Sequence, residues 1–145
     1  MFLGEYTHSL DDKGRLAIPA RFRAELADGL YLTRGLDRCL VIWPPAAWKA
    51  MADRLNALSP WQADARRLQR LFFSGAVSAV PDKLGRIVIP EYLRNYAELQ
   101  QDQDVVLVGV SDRVEIWSGP RWLAERGDAE SNGVELAEQL ARQGL

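Results

Sequence analysis

The chain has one cysteine, one histidine and no long apolar run, and each scarcity removes a class of function. A single thiol can build neither a disulfide framework nor a cysteine zinc site. Cys39 sits in an apolar stretch between Arg38 and Trp43 and reads as an inert core thiol. With His8 as the only imidazole, the sequence shows no Ser-His-Asp, metal-ligand or phosphate-loop constellation, so it does not read as an enzyme. No metal, other cofactor or small-molecule substrate is expected. His8 is expected to cap or pack beside the first loop rather than to transfer protons. Asp11 and Asp12 point to opposite faces if extended, which leaves them unpaired for acid–base work. Nothing approaches the roughly 20 consecutive apolar residues that cross a bilayer, and Met1-Phe2-Leu3-Gly4-Glu5 lacks the basic start and apolar run of a signal peptide. The expectation is a cytoplasmic chain with no membrane partner.

A basic excess is also missing. Eighteen Lys and Arg face twenty Asp and Glu, for a net charge of −2, which argues against indiscriminate coating of phosphate. The distribution is uneven, however. Residues 49–76 carry five basic and two acidic side chains, residues 123–145 carry two basic and five acidic, and residues 1–48 balance at six each. An acidic tail therefore masks locally basic surface.

What the chain does have is ordinary globular composition, 48% hydrophobic and 26% charged over 145 residues, enough for one substantial core. It also has an internal repeat. Shifted by 71 positions, Asp11-Asp12-Lys13-Gly14-Arg15-Leu16-Ala17-Ile18-Pro19 aligns with Asp82-Lys83-Leu84-Gly85-Arg86-Ile87-Val88-Ile89-Pro90, identical at five of nine positions. Further on, Asp37-Arg38 answers Asp112-Arg113, and Ile42-Trp43 with Trp48 answers Ile116-Trp117 with Trp122. The chain thus divides into unit 1 (4–48), a helical connector (49–74), unit 2 (75–122) and a tail (123–145) made of a polar linker and a C-terminal helix.

Each unit reads as β-α-β-β. Asp-x-x-Gly-Arg supplies a turn, since Asp bonds the backbone two residues on and Gly takes positive φ at little steric cost. Arg15–Ile18 and Arg86–Ile89 follow as short strands, each ended by a proline that suits a helix start. Helices are expected over Ala20–Ala27 and Glu91–Gln100. Leu30–Leu32 and Val105–Val108 then pair with Leu40–Trp43 and Val114–Trp117 across Asp-Arg turns. In the connector, Ser59-Pro60-Trp61-Gln62 resembles a capping box opening a helix with the apolar stripe Trp61, Ala65, Leu68 and Phe72, and with Arg66, Arg67 and Arg70 off the stripe. The repeated tryptophans Trp43, Trp48, Trp117 and Trp122 read as core or subunit-interface residues, not base-stacking platforms.

The start Met1-Phe2-Leu3-Gly4-Glu5-Tyr6 and the duplicated Asp-x-x-x-Arg motifs, Asp11 with Arg15 and Asp82 with Arg86, resemble the MraZ family over nearly the whole chain. That family is similar to AbrB-type transcription factors. The resemblance implies a mainly β, α+β fold: two tandem swapped-hairpin units forming one barrel-like domain, plus the connector and C-terminal helix. It also implies a nucleoid-associated regulator that binds repeated boxes in the promoter of the cell-division and cell-wall gene cluster, assembled with copies of itself as a ring.

Arginine itself suits the role, because its planar fork meets phosphate oxygens or a guanine edge bidentately. Arg15 and Arg86 are the candidate DNA-binding residues, with Lys13, Lys83, Arg21 and Arg23 beside them. Asp11 and Asp82 are candidate orienters that hold each arginine extended; an alternative is that each pair only closes its own turn. Arg21 and Arg23 read equally as phosphate contacts or as the wet side of a short helix. Lys13 faces Leu84 across the repeat, so the first loop is the candidate main reader. The competing class is an antitoxin-like or scaffold module, favoured by the apolar stripe Val134, Ala137, Leu140 and Ala141 in the tail.

Overall fold

The structure, a computed structural model, describes residues 1–145. Its local elements follow the repeat. Unit 1 contributes β1 (Glu5–His8), β2 (Arg15–Ala17), α1 (Ala20–Leu26), β3 (Leu30–Arg34) and β4 (Leu40–Trp43). The connector is α2 (Pro45–Asn56) and α3 (Ala63–Gly75). Unit 2 contributes β5 (Val77–Ala79), β6 (Arg86–Val88), α4 (Glu91–Tyr96), β7 (Val105–Gly109) and β8 (Val114–Ser118), and α5 (Gly119–Arg142) follows.

The units exchange strands. Six strands form one antiparallel sheet in the order β1-β7-β8-β4-β3-β5, so unit 1's first strand pairs with unit 2 and unit 2's first strand with unit 1. His8 faces Val105 at one edge and Ala79 faces Leu30 at the other, the same match seen from each unit. β4 and β8 join the halves, with Val41 opposite Glu115. The remaining pair, β2 and β6, is a separate two-stranded ribbon centred on Leu16 opposite Ile87. A pseudo-twofold axis through these two pairs relates one unit to the other.

Strand alternation aims Leu16 and Ile87 inward and leaves their neighbours outside. Both join a single core of 19 buried residues, including Ile18, Leu32, Leu40, Ile42, Ile89, Leu107, Val114 and Ile116. Phe2, Tyr6 and Phe22 add edge-to-face aromatic contacts at 5.3 and 5.2 Å. Neither unit owns a core of its own. The barrel-like enclosure is completed by this packing, since the ribbon and the sheet share no strand-to-strand ladder.

Several local readings are corrected. Ser59–Gln62 is a turn of its own, closed by the Gln62 N–H on the Ser59 carbonyl at 3.2 Å, so α3 starts at Ala63 with no side-chain cap. Trp61 is consequently outside the apolar stripe and 91% exposed. α4 stops at Tyr96 because Glu98 enters the left-handed region at φ 58°. The helical connector reaches back to Pro45, whose fixed φ opens α2. The expected polar linker at Glu125–Gly133 is helix: Ser118 caps α5 by accepting the Arg121 N–H at 3.3 Å, and Arg126 pairs with Glu130 one turn on. Gly127 and Gly133 are tolerated inside it at about 1 kcal/mol each.

The repeated tryptophans have defined partners. Trp48 stacks on Tyr31 at 4.8 Å and meets Phe73 edge-on, while Trp122 lies against Trp117 at 5.7 Å. α3 is locked over β3 by the Thr33 hydroxyl donating to the Phe72 carbonyl and by Arg34 donating to the Leu71 carbonyl.

Candidate nucleic-acid interface

The two Asp-x-x-Gly-Arg turns sit at opposite ends of the β2·β6 ribbon. In the first, one Asp11 oxygen accepts the backbone N–H groups of Lys13 (2.9 Å) and Arg15 (2.8 Å), while the other accepts the Arg15 Nε–H at 2.6 Å. In the second, Asp82 accepts from Leu84 N (2.9 Å), Arg86 N (2.8 Å) and Arg86 Nε (2.9 Å). Gly14 and Gly85 take φ of 73° and 78°, closing the turns where a side chain would be strained. Each loop is therefore fixed by one carboxylate that serves backbone and guanidinium together.

This arrangement leaves the reactive end of each arginine open. Arginine carries five N–H donors, and only the one on Nε is used within the chain, so both Nη groups of Arg15 and Arg86 have no partner. The backbone N–H of each arginine is the main cause that holds its carboxylate down, and the side-chain bond adds to it. Asp11 falls to about 2, and Asp82 shifts the same way. Both stay ionised across the physiological range.

The ribbon brings the two motifs together. Arg15 pairs with Val88 and Ala17 with Arg86, so all four share the face away from Leu16 and Ile87. Arg15 and Arg86 are diagonal neighbours, about 7–8 Å apart at Cα by sheet geometry. Lys13 and Lys83 are exposed at the loop tips with no ion pair. Ladder bonds from Ile18 N to Gly85 O (2.8 Å) and Ile89 N to Gly14 O (2.9 Å) tie each loop to the other unit's strand end.

Arg21 and Arg23 part company. Arg21 is exposed on α1 without a hydrogen bond, whereas Arg23 turns back, donates from Nε to the Ile18 carbonyl at 2.8 Å and packs its guanidinium on Gly85. Arg94, from α4, packs its guanidinium on Gly14. Arg94 was not among the candidates read from sequence, although it lies 71 positions after Arg23, the same offset as the loops. The pole thus gathers Lys13, Arg15, Arg23, Lys83, Arg86 and Arg94 around Asp11, Asp12 and Asp82. His8 lies near it and is held below its ordinary pKa by partial burial and by Arg23, so it is neutral at pH 7.

Comparison with known proteins places the chain in a lineage. The family model described as "MraZ protein, putative antitoxin-like" matches twice, over residues 1–71 and 72–141, which between them span both units. The chain belongs to the MraZ family. It is 48% identical to the transcriptional regulator MraZ of Desulfitobacterium hafniense over 145 residues, covering all of both chains. It is 49% identical to that of Moorella thermoacetica over 140 residues and 46% identical to that of Carboxydothermus hydrogenoformans over 140 residues, each time covering 97% of this chain and 96% of the relative. The relatives are thus named as transcriptional regulators, and the two family matches meet at residues 71 and 72, inside α3.

Proposed function

We propose that this chain is a transcriptional regulator that binds double-stranded promoter DNA with the β2·β6 ribbon, in the cytoplasm and at the nucleoid, without catalysis. The observation that carries the reading is the pair of carboxylate-held arginines, Arg15 and Arg86, whose Nη groups are free on one solvent face. A two-stranded ribbon fits the B-DNA major groove, and Arg docks bidentately on guanine O6 and N7. Four residues from one loop to the other span about 13 Å, close to the roughly 12 Å width of that groove. Lys13, Lys83, Arg23 and Arg94 then stand near the phosphates on either side, where they position the ribbon without specifying sequence. Arg21, more exposed, is a weaker contact of the same kind.

One ribbon offers few cations, so affinity on this reading comes from several copies in a ring engaging repeated boxes together, which raises effective concentration. The promoter of the cell-division and cell-wall gene cluster is the proposed target. The experiment is binding of wild-type and Arg15→Ala chains to the DNA upstream of the chain's own gene and to scrambled DNA, at two salt concentrations. Specific, salt-sensitive binding that the variant loses supports the reading. Equal weak binding to both DNAs, unchanged by the substitution, removes the ribbon from DNA and brings forward an antitoxin-like or scaffold role.

A further inference from the structure

The solvent face of the β2·β6 ribbon carries four side chains, and two of them bring no hydrogen-bonding atom to it. Arg15 stands opposite Val88, and Arg86 opposite Ala17. The ladder bond from Ile18 N to Gly85 O marks those two residues as a hydrogen-bonded pair. Pairs alternate along an antiparallel ladder, so Ala17 with Arg86 and Arg15 with Val88 are both non-hydrogen-bonded pairs. Such partners stand only about 4.5 Å apart at Cα, closer than the pairs on either side. Each arginine therefore has an aliphatic residue immediately across the ribbon from it.

A single exposed valine on a strand needs no ligand to explain it. Val88 differs in its company. It is 56% exposed although Arg15 is its cross-strand partner, because the Nε bond to Asp11 holds the arginine toward its own loop. It shares a face with the free Nη groups of Arg15 and Arg86, which sets an apolar surface among hydrogen-bond donors. The matching position of the repeat holds Ala17, which is smaller and half-buried. In the major groove of DNA, guanine offers acceptors to a guanidinium, and thymine alone among the four bases offers a methyl group. With the strands crossing the groove, the step from β2 to β6 runs along it. About 4.5 Å then carries from one base pair to the next, which stacks about 3.4 Å away.

We propose that Val88 is a specificity-determining residue: its methyl groups pack on the C5 methyl of a thymine in the base pair beside the guanine that Arg15 meets. The proposal rests on the reading of the ribbon as the DNA-binding face and adds a second kind of contact to it. The guanidinium selects by hydrogen bonds and the valine by apolar burial. Cytosine in place of that thymine loses the contact without meeting a clash, since it has no C5 methyl. Ala17 covers less of the base pair beside Arg86, so the preference for thymine is weaker at that end.

The test uses the full-length chain and the shortest synthetic duplex, taken from the DNA upstream of its own gene, that it binds in preference to scrambled DNA. In such a duplex thymine is the only source of a C5 methyl. Replacing each thymine in turn by deoxyuridine therefore deletes one methyl and keeps every base-pairing hydrogen bond. Fluorescence anisotropy gives Kd for wild type, Val88→Ala and Arg15→Ala, with circular dichroism as the check on folding. The expected result is a thymine whose replacement weakens wild-type binding about fourfold. Val88→Ala weakens binding to the unmodified duplex by a similar factor and is indifferent to that replacement. The same thymine neighbours a guanine whose analogue lacking N7 weakens wild type more than Arg15→Ala. The deoxyuridine scan of wild type needs no variant, so it decides even if Val88→Ala misfolds. A wild type indifferent to every deoxyuridine overturns the contact and leaves the DNA-binding reading standing. So does a sensitive thymine to which Val88→Ala stays equally sensitive, or one remote from the guanine of Arg15. A wild type that binds upstream and scrambled DNA alike overturns the DNA-binding reading, and this contact with it.

Discussion

The guanidinium of Arg94, in unit 2, lies over Gly14, in the first loop, and occupies the space a side chain there would need. Arg23 stands in the same relation to Gly85, so each loop is held down by the other unit.

Gly14→Ala meets two obstacles. The positive φ costs about 1–2 kcal/mol for a residue with a Cβ, and the new methyl collides with Arg94. The expected outcome is a lower urea midpoint together with weaker DNA binding. Gly14→Ala with Arg94→Ala should recover part of the stability but not the DNA affinity, and a full recovery of both would show that Arg94 only fills space.

Arg15→Ala is expected to weaken specific DNA binding by about 1–3 kcal/mol, roughly fivefold to more than a hundredfold, if it reads a base edge. Arg15→Lys should not restore it, because lysine has neither the Nε–H that Asp11 holds nor a planar fork to dock bidentately. A loss of equal size on all sequences, with a shallower salt dependence, would make Arg15 a phosphate contact instead. Arg86→Ala should cost less, since Leu84 (63% exposed) stands where the first loop has Lys13.

Asp11 and Asp82 give acid stability a defined sign. Both are held below the ordinary 3.8, Asp11 down to about 2, so the folded chain binds their protons less tightly than the unfolded chain does. Their contribution is complete above pH 3.8 and fades as pH falls toward about 2. The gap in urea midpoint between wild type and Asp11→Asn/Asp82→Asn should therefore narrow over that window. A gap that stays constant down to the lower limit would mean that the carboxylate charge is not what stabilises the loops.

Burial pushes the Cys39 thiol up to about 12, helped by nearby Glu115 and Asp37, and its S–H donates to the Leu36 carbonyl. Alkylation of the native chain at neutral pH should be slow and become fast in denaturant. Equal rates in both conditions would show that the β3–β4 turn opens readily.

Truncating the ribbon's inner pair separates fold from site. Leu16 and Ile87 face each other on the pseudo-axis at 0% and 3% exposure, so Leu16→Ala should cost about 2–5 kcal/mol. Thermal melting would show it. Little change would mean that the ribbon is not anchored by this pair.

Much of this was legible in the chain itself. The 71-residue repeat located both loops, and turn chemistry at Asp and Gly with proline at the strand ends gave each unit its order. The exchange of β1 and β5 between units was not visible locally, because pairing between segments about 100 residues apart for β1 and about 47 for β5 leaves no short-range periodicity. The resemblance to a swapped-hairpin family implied it instead. The tail misled because Gly127 and Gly133 look like linker residues, while the capping Ser118 that starts the helix lies well upstream. Arg94 lies outside the nine-residue repeat, and its only signal in the chain is the 71-position offset from Arg23. Trp61 was placed on a stripe that its own turn excludes it from.

The pseudo-twofold axis has a consequence for what kind of address such a chain can read. A dimer of identical hairpins is bound to offer matching halves, and so favours a palindrome. Here one chain carries both halves, with Lys13 on one side and Leu84 on the other. The ribbon therefore has a left and a right, and a site fitted to it carries a direction.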